Sequence, residues 1–295
     1  MPEEEFLTVR EVAEMLRLKP RRIYALAAKG ALPCRRATGR LLFPKSELER
    51  WLAGAAASGS PGTALPPADI LAGSHDPLLE WALRESGSGI ASFFDGSLDG
   101  LVRFREGRAA AVGLHLLDVA AGEWNLPAVR RELAGRPVVV LHWAWREQGL
   151  LFRPELHGRI RSLGDIRGLT VVPRQPQSGA WHLFRHLLER AGLDPQRLDL
   201  LAEPARTESE VALAIASGKA EVGFGLRCLA APFDLAFLPL IRERFDLALH
   251  RWAYFEPPWQ RLWRFAAGPA LHARAAELGG YEVRERGRVL YNERA

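Results

Sequence analysis

Hydrophobic positions along the 295 residues follow two regimes. In the first fifty, Val9, Val12, Ala13 and Leu16 fall at i, i+3, i+4 and i+7, which predicts a helix with one apolar stripe. Thr8 followed three residues on by Glu11 writes a capping box at its start, and Leu7 with Val12 can staple it. Leu18-Lys19-Pro20 stops this helix, and Pro20 opens a second one, Arg21 to Lys29, closed by Gly30. Ile23 and Leu26 or Ala27 face inward on it. Cys34 to Arg36 and Arg40 to Phe43 flank Ala37-Thr38-Gly39 and predict a hairpin wing. Ser46 to Leu52 then reads as a short helix whose Leu48, Trp51 and Leu52 close the small core.

The second regime begins near Asp69, after residues 54–68, an uncharged stretch rich in Ala, Gly, Ser and Pro that reads as a linker. From there strand-like runs alternate with helical ones, which predicts an α/β domain with a mainly parallel sheet over 69–295. Ile70–Ala72, Ile90–Phe94 and Ala109–Leu114 are strands that each run into a polar or glycine-containing turn, with helices over Leu78–Glu85 and up to Arg105. Val138 to Trp145 is a longer apolar strand able to cross between lobes. Thr170–Pro173, a helix carrying Trp181, Leu183, Phe184, Leu187 and Leu188, a helix over Glu208–Ser217 and a strand over Glu221–Phe224 repeat the scheme as a second lobe. In open α/β sheets a ligand crevice lies beyond such strand ends, and two lobes facing one crevice can close by a hinge.

Charge sharpens the first regime. Between Lys19 and Arg40 there are seven basic residues and no Asp or Glu, and residues 6–53 hold eleven Lys/Arg against four Glu, net +7, where the whole chain carries +5. The rest of the chain is therefore close to neutral. Residues 1–53 are accordingly predicted to bind double-stranded operator DNA. Arg21, Arg22 and Tyr24 stand at the N-terminal end of a recognition helix, Lys29 flanks them, and Arg35, Arg36 and Arg40 lie on a wing along the phosphate backbone or minor groove. The plainer alternative is a protein-docking module with a solvated basic face.

Two resemblances fit this division. Leu-Thr-Val-Arg-Glu-Val-Ala-Glu-Met-Leu (7–16), Arg-Arg-Ile-Tyr (21–24) and Ser-Glu-Leu-Glu-Arg-Trp-Leu (46–52) resemble the winged helix-turn-helix of the excisionase family, akin to MerR-type regulators. The ordered segments 71–79, 96–101, 115–118, 146–150, 162–168 and 221–226 look like the cytoplasmic domain related to periplasmic molybdate-binding proteins, as do Glu243, Phe245 and Asp246. That resemblance covers Asp69 to about His250 and implies a type II periplasmic-binding-protein fold, hence a two-lobed α/β domain behind a small winged helix-turn-helix. It implies a small oxyanion ligand such as molybdate or tungstate, or a molecule related to the molybdenum cofactor. Where relatives read Asn-Arg-Gln and Ser-Gly-Thr-Arg, this chain has Pro173-Arg174-Gln175 and Ser178-Gly179-Ala180-Trp181.

An oxyanion needs hydrogen-bond donors and a favourable dipole, which backbone N–H groups at helix starts supply. Ser74, Ser97 and Ser178 each sit where a strand gives way to a helix, and His115 and Arg174 would add charge-assisted donors. His75 and Gly179 accompany them, and Gly225 allows close backbone approach beside the cleft. Each serine also occupies a position where an N-cap belongs, with Asp76 before Pro77 the plainest cap, and each histidine equally suits a structural hydrogen bond.

Several classes are disfavoured. No apolar run approaches the roughly 20 residues of a membrane helix, and Pro2-Glu3-Glu4-Glu5 is unlike a secretory leader, so a cytoplasmic location is expected. Cys34 and Cys228 give neither a disulfide framework nor zinc spacing. Gly223-Phe224-Gly225 lacks the third glycine of a dinucleotide fingerprint, and no nucleophile elbow, metalloprotease motif or P-loop is present. The sequence thus reads as a ligand-responsive regulator, not an enzyme, with no cofactor. The regulator class implies a homodimer or higher homo-oligomer. A metabolite-binding or molybdopterin-related enzyme recruited by its N-terminal module is the competing class, and a DNA-binding architectural protein with a vestigial cleft is a third.

Overall fold

The computed structural model describes residues 6–16, 19–28, 32–37, 40–49 and 67–292. The chain divides into two compact units, residues 1–64 and 65–295.

In the smaller unit, strand β1 (Phe6–Thr8) leads into helix α1 (Val9–Met15), followed by α2 (Pro20–Ala28), β2 (Arg35–Ala37) and β3 (Arg40–Pro44). The capping box at Thr8 forms in both directions: Glu11 N–H donates to Thr8 Oγ1 at 3.4 Å, and Thr8 N–H donates to Glu11 Oε2 at 2.7 Å. The hairpin β2–β3 pairs Arg36 with Leu41 and Ala37 with Arg40, and β1 adds a third strand on the other side of β3. Val12, Ala13, Ile23, Leu32, Phe43 and Leu48 form the core. Residues 45–49 are helical. Lys29, the glycines proposed for the helix end and the wing turn, and Trp51 and Leu52 lie outside the described residues, as does most of the linker.

The larger unit is built on one ten-stranded sheet. On one side β4 (Ile70–Gly73), β5 (Ala91–Phe93) and β6 (Ala111–Leu114) run parallel, linked by α3 (Pro77–Glu85) and α4 (Ser97–Arg105). A two-strand ribbon, β7 (Leu117–Asp118) and β8 (Glu123–Trp124), and α5 (Leu126–Glu132) precede a fifteen-residue strand, β9 (Val138–Phe152). On the other side β10 (Thr170–Val172), β11 (Asp199–Leu200) and β12 (Val222–Leu226) are parallel, with α6 (Gly179–Arg190) and α7 (Glu208–Ala216). A second fifteen-residue strand, β13 (Ala236–His250), returns antiparallel to β9 along its whole length.

The expectation of a mainly parallel sheet is therefore corrected to a mixed one. Two parallel sets of three strands are joined by an antiparallel pair that passes through both lobes, in the order β11-β10-β12-β9-β13-β6-β4-β5. β9 also extends seven residues beyond Trp145. Arg146, Glu147 and Gln148 lie past the strand end expected at Trp145, yet Arg146 is 1% and Gln148 0% exposed. Arg146 and Gln148 are the buried polar middle of the strand, at the level where one lobe passes into the other.

The last forty residues add α8 (Pro257–Ala267), α9 (Pro269–Leu278), β14 (Tyr281–Glu282) and β15 (Val289–Asn292). Trp259, Leu262 and Leu271 share a core cluster with Leu71, Leu78 and Trp143 of the first lobe, and β14 and β15 pair with β9. The C-terminal segment is thus an integral layer of the first lobe. Gly100 explains how tightly α4 sits on β4, since a side chain there would meet the backbone of Gly73. Among the described residues no helix is long and apolar enough to cross a membrane.

Candidate functional site

The parallel strands of both lobes end towards the same level of β9 and β13, and the turns that follow them meet there. In the first lobe β4 ends at Gly73, whose φ of 108° lets the chain bend directly into Ser74, and Ser74 N–H donates to the Gly113 carbonyl at 2.9 Å. Gly96, N-cap of α4, donates to the Gly73 carbonyl at 3.1 Å and brings Ser97 beside Ser74. The two hydroxyls are 2.6 Å apart, and His115 N–H donates to Ser97 Oγ at 3.3 Å. All three residues are buried.

The second lobe closes over this cluster. A side chain at Gly179 would lie 3.0 Å from His115 Nε2, and one at Gly96 would lie 3.2 Å from the Gln177 carbonyl. Ser74, Ser97, His115 and Gly179 are therefore brought together. Ser178 is next to them, where it acts as N-cap of α6 and accepts from Trp181 N–H at 3.4 Å. At α4 the N-cap is a glycine with no side chain to offer, so a first-turn N–H there has no acceptor from the cap position.

Beneath the serines lies a buried ionic cluster that the sequence did not single out as a site. Arg146 donates to Asp76 Oδ2 at 3.0 Å and to Glu243, and its guanidinium lies over the Phe245 ring at 4.4 Å. Gln148 Nε2 donates to Glu243 Oε1 at 2.7 Å, and His115 Nδ1 is 2.8 Å from Glu243 Oε2. Burial alone would raise the Glu243 carboxyl, but Arg146 and His115 hold it below the ordinary glutamate value. Asp76 is the N-cap of α3, accepting from Leu79 N–H at 2.7 Å. It is more than a cap, because Trp143 Nε1 and the Tyr281 hydroxyl also donate to it, at 3.2 and 2.7 Å. Burial and the neighbouring Asp76 push the Tyr281 hydroxyl well above its usual value, so it stays a donor. The C-terminal segment thereby reaches the level where one lobe passes into the other.

Three further residues expected at the ligand have partners of their own. Arg174 does not present a charged donor to the crevice. Its guanidinium binds Glu208 and donates to the Ala205 and Arg206 carbonyls at 3.2 Å each, so all three nitrogens are engaged within the second lobe. His75 Nε2 is 3.1 Å from Glu80 and the ring stands edge-on to Phe94. Gly225 lies on β12, where a side chain would meet Leu151. Ser74, His75 and Asp76 thus turn to three separate partners, Ser97, Glu80 and Arg146, and do not assemble a triad.

The charges decide what this floor can hold. Arg146 and Arg174 face three buried carboxylates, Asp76, Glu243 and Glu208, so neither arginine offers an uncompensated positive charge. A small anion here would be held by hydroxyls, backbone N–H groups and His115 instead. Cys228 is 1% exposed, and burial pushes its thiol up to about 12, which keeps it protonated. Among the described residues there is no group of three or more His, Cys, Asp or Glu placed to hold a metal ion.

In the smaller unit Arg21, Arg22 and Tyr24 are all exposed on α2, which has no acidic residue in its first turn, and Tyr24 is 55% exposed. Arg35 on the wing is paired with Glu47 at 2.6 Å. Arg36 and Arg40 sit on the paired strands of the wing hairpin.

The chain thus combines a helix-turn-helix with a two-lobed α/β unit that holds a buried polar crevice. Residues 79–267 match the family model of the PBP superfamily domain, well over half of the chain, and residues 6–56 match that of a helix-turn-helix domain. The chain belongs to the PBP superfamily. It is 24% identical to the uncharacterized protein YvgK of Bacillus subtilis (strain 168) over 310 residues, covering 98% of this chain and 99% of that one. A candidate phosphate ABC transporter substrate-binding protein from Clostridium perfringens, solved with bound phosphate, shares the fold with a TM-score of 0.53 at 11% identity, covering 72% of this chain and 98% of that one.

Proposed function

We propose that this protein is a transcriptional regulator that binds double-stranded operator DNA through its helix-turn-helix and senses a small oxyanion of the molybdate or tungstate type, or a related small molecule, in the crevice. It binds and reports and is not an enzyme. Arg21, Arg22 and Tyr24 meet the major groove, while Arg35, Arg36 and Arg40 follow the backbone. The chain works as a homodimer, so ligand-driven lobe movement alters the spacing of two DNA-binding units against fixed half-sites.

One observation carries the ligand reading. The hydroxyls of Ser74 and Ser97, 2.6 Å apart, lie with His115 at the start of α4, under the turn that starts α6 in the other lobe. Donors from both lobes at helix starts favour an anion and link its binding to closure.

The test is the thermal melt of the full chain against molybdate, tungstate, sulfate, phosphate and small carboxylates. A ligand at a hundred times its Kd stabilises by about 2.7 kcal/mol. At least one anion is expected to raise Tm visibly, and the rise is expected to shrink in Ser97→Ala. A melt unmoved by the whole panel would refute the anion site.

A further inference from the structure

Beside the crevice lies a cavity of about 310 Å³ that both lobes line. Its lining residues adjoin, along the chain, the residues just described. Leu98 follows Ser97, Leu116 follows His115, and His182 is one helical turn along α6 from Ser178, whose carbonyl accepts from His182 N–H at 3.2 Å. Two other cavities, near Trp181–Leu200 and Val172–Lys219, are lined by the second lobe alone, so a molecule in either would touch nothing that moves relative to it.

The crevice and the cavity differ in chemistry. The crevice is polar and tight, with Ser74 against Ser97 and His115 against Gly179. Contacts this close suit a head group of a few atoms. The cavity has an apolar wall of Leu98, Leu116 and Leu117, and its size is at the low end for small-molecule pockets. Its rim carries His182, His186 and Arg131 against one carboxylate, Asp118. Asp118 accepts from Ala121 N–H at 2.9 Å, and Arg131 shares its charge with Glu132 at 3.0 Å. A bare oxyanion would fill the crevice and leave this wall facing water.

We infer that the ligand is an organic anion, with a small oxyanionic head group in the crevice and an apolar body of about one ring in the interlobe cavity. The inference rests on the crevice reading above and names the class of molecule that site takes. Contacts from the body to α6 and to the segment after β6 would tie the two lobes across a wider face than the head group alone.

The experiment compares pairs of probes that differ only in the body: inorganic phosphate with phenyl phosphate, sulfate with phenyl sulfate, and acetate with benzoate. Calorimetric titration of the full chain measures each Kd. In at least one pair the ring-bearing member is expected to bind at least tenfold more tightly. His186→Trp, which fills the cavity, is expected to reduce that ratio to near one while leaving the Kd of the bare anion within about twofold. Val119→Trp, at a rim position 56% exposed, gives a second variant should the first fail to fold. Equal Kd values within every pair for the unsubstituted protein, or a ratio that survives in both tryptophan variants, would overturn the inference while leaving the crevice reading intact. Binding of no probe, bare or ring-bearing, together with a melt unmoved by molybdate and tungstate, would overturn both.

Discussion

Replacing Arg146 by methionine is expected to destabilise the larger unit by about 3–5 kcal/mol, because breaking a buried ion pair from one side leaves its partners uncompensated. Arg146 is 1% exposed and bonds to Asp76 and Glu243, both 0% exposed. Methionine fills much of the same volume over Phe245, so the loss comes chiefly from two carboxylates left in a low-dielectric core. Gln148, His115, Trp143 and Tyr281 still donate to them and keep the cost below that of bare ions. The pH dependence follows from Glu243. Its folded-state value is depressed, so its contribution is present above the ordinary glutamate value and is lost as pH falls through the depressed one. Without Arg146 that depression weakens, leaving His115 alone to sustain it, and the deficit of the variant is expected to be largest near neutral pH and smaller in acid. Arg146→Lys, which keeps the charge but not the fork that spans two carboxylates, is expected to fall in between. Urea unfolding followed by tryptophan fluorescence checks this, and a loss under about 1 kcal/mol at neutral pH would show that the cluster contributes little beyond packing.

The second large effect is expected in the smaller unit. Arg21→Ala with Arg22→Ala removes two exposed cations from the start of α2. If both meet phosphate, the slope of log affinity against log salt falls by about two, since each phosphate contact contributes roughly 0.9. Where one of them reads a base edge instead, the slope falls by about one and roughly 1–3 kcal/mol of sequence discrimination is lost. Fluorescence anisotropy on a duplex selected from random sequence measures both quantities. Unchanged affinity and slope would place the DNA surface elsewhere.

Much of this architecture was legible because it is local. The capping box at Thr8 and Glu11, the stripe through Val12 and Ala13, and Pro20 opening α2 are written within a few residues of one another. Ser74, Ser97 and His115 were legible for the same reason, as polar residues at the point where each strand of a parallel set ends. What stayed hidden is set by long-range pairing. Arg174 reads as a free donor until α7 brings Glu208 beside it from thirty-four positions away. Arg146 and Glu243 are ninety-seven positions apart, and Tyr281 reaches Asp76 across two hundred and five. A signal for Arg146 was present: Arg146 and Gln148 interrupt an apolar run that resumes at Leu150, as one strand passing through a polar level does. β1 was missed for another reason, since three half-exposed residues carry no periodicity. The sheet's mixed character followed from β13, whose partners lie in both lobes.

The central claim is that the crevice controls the DNA-binding unit, and the direct test is the affinity of the full chain for its selected duplex with and without the anion that raises its melting temperature. Linkage requires that a ligand distinguishing two states of the protein alter DNA affinity, with typical couplings of about 1–3 kcal/mol, roughly 5–150-fold. The expected result is a change in Kd of at least about fivefold at saturating ligand, lost in Ser97→Ala, whose ligand-free DNA affinity stays as it was. A duplex bound equally well at zero and saturating ligand would contradict the account, leaving two units that share a chain but not a function.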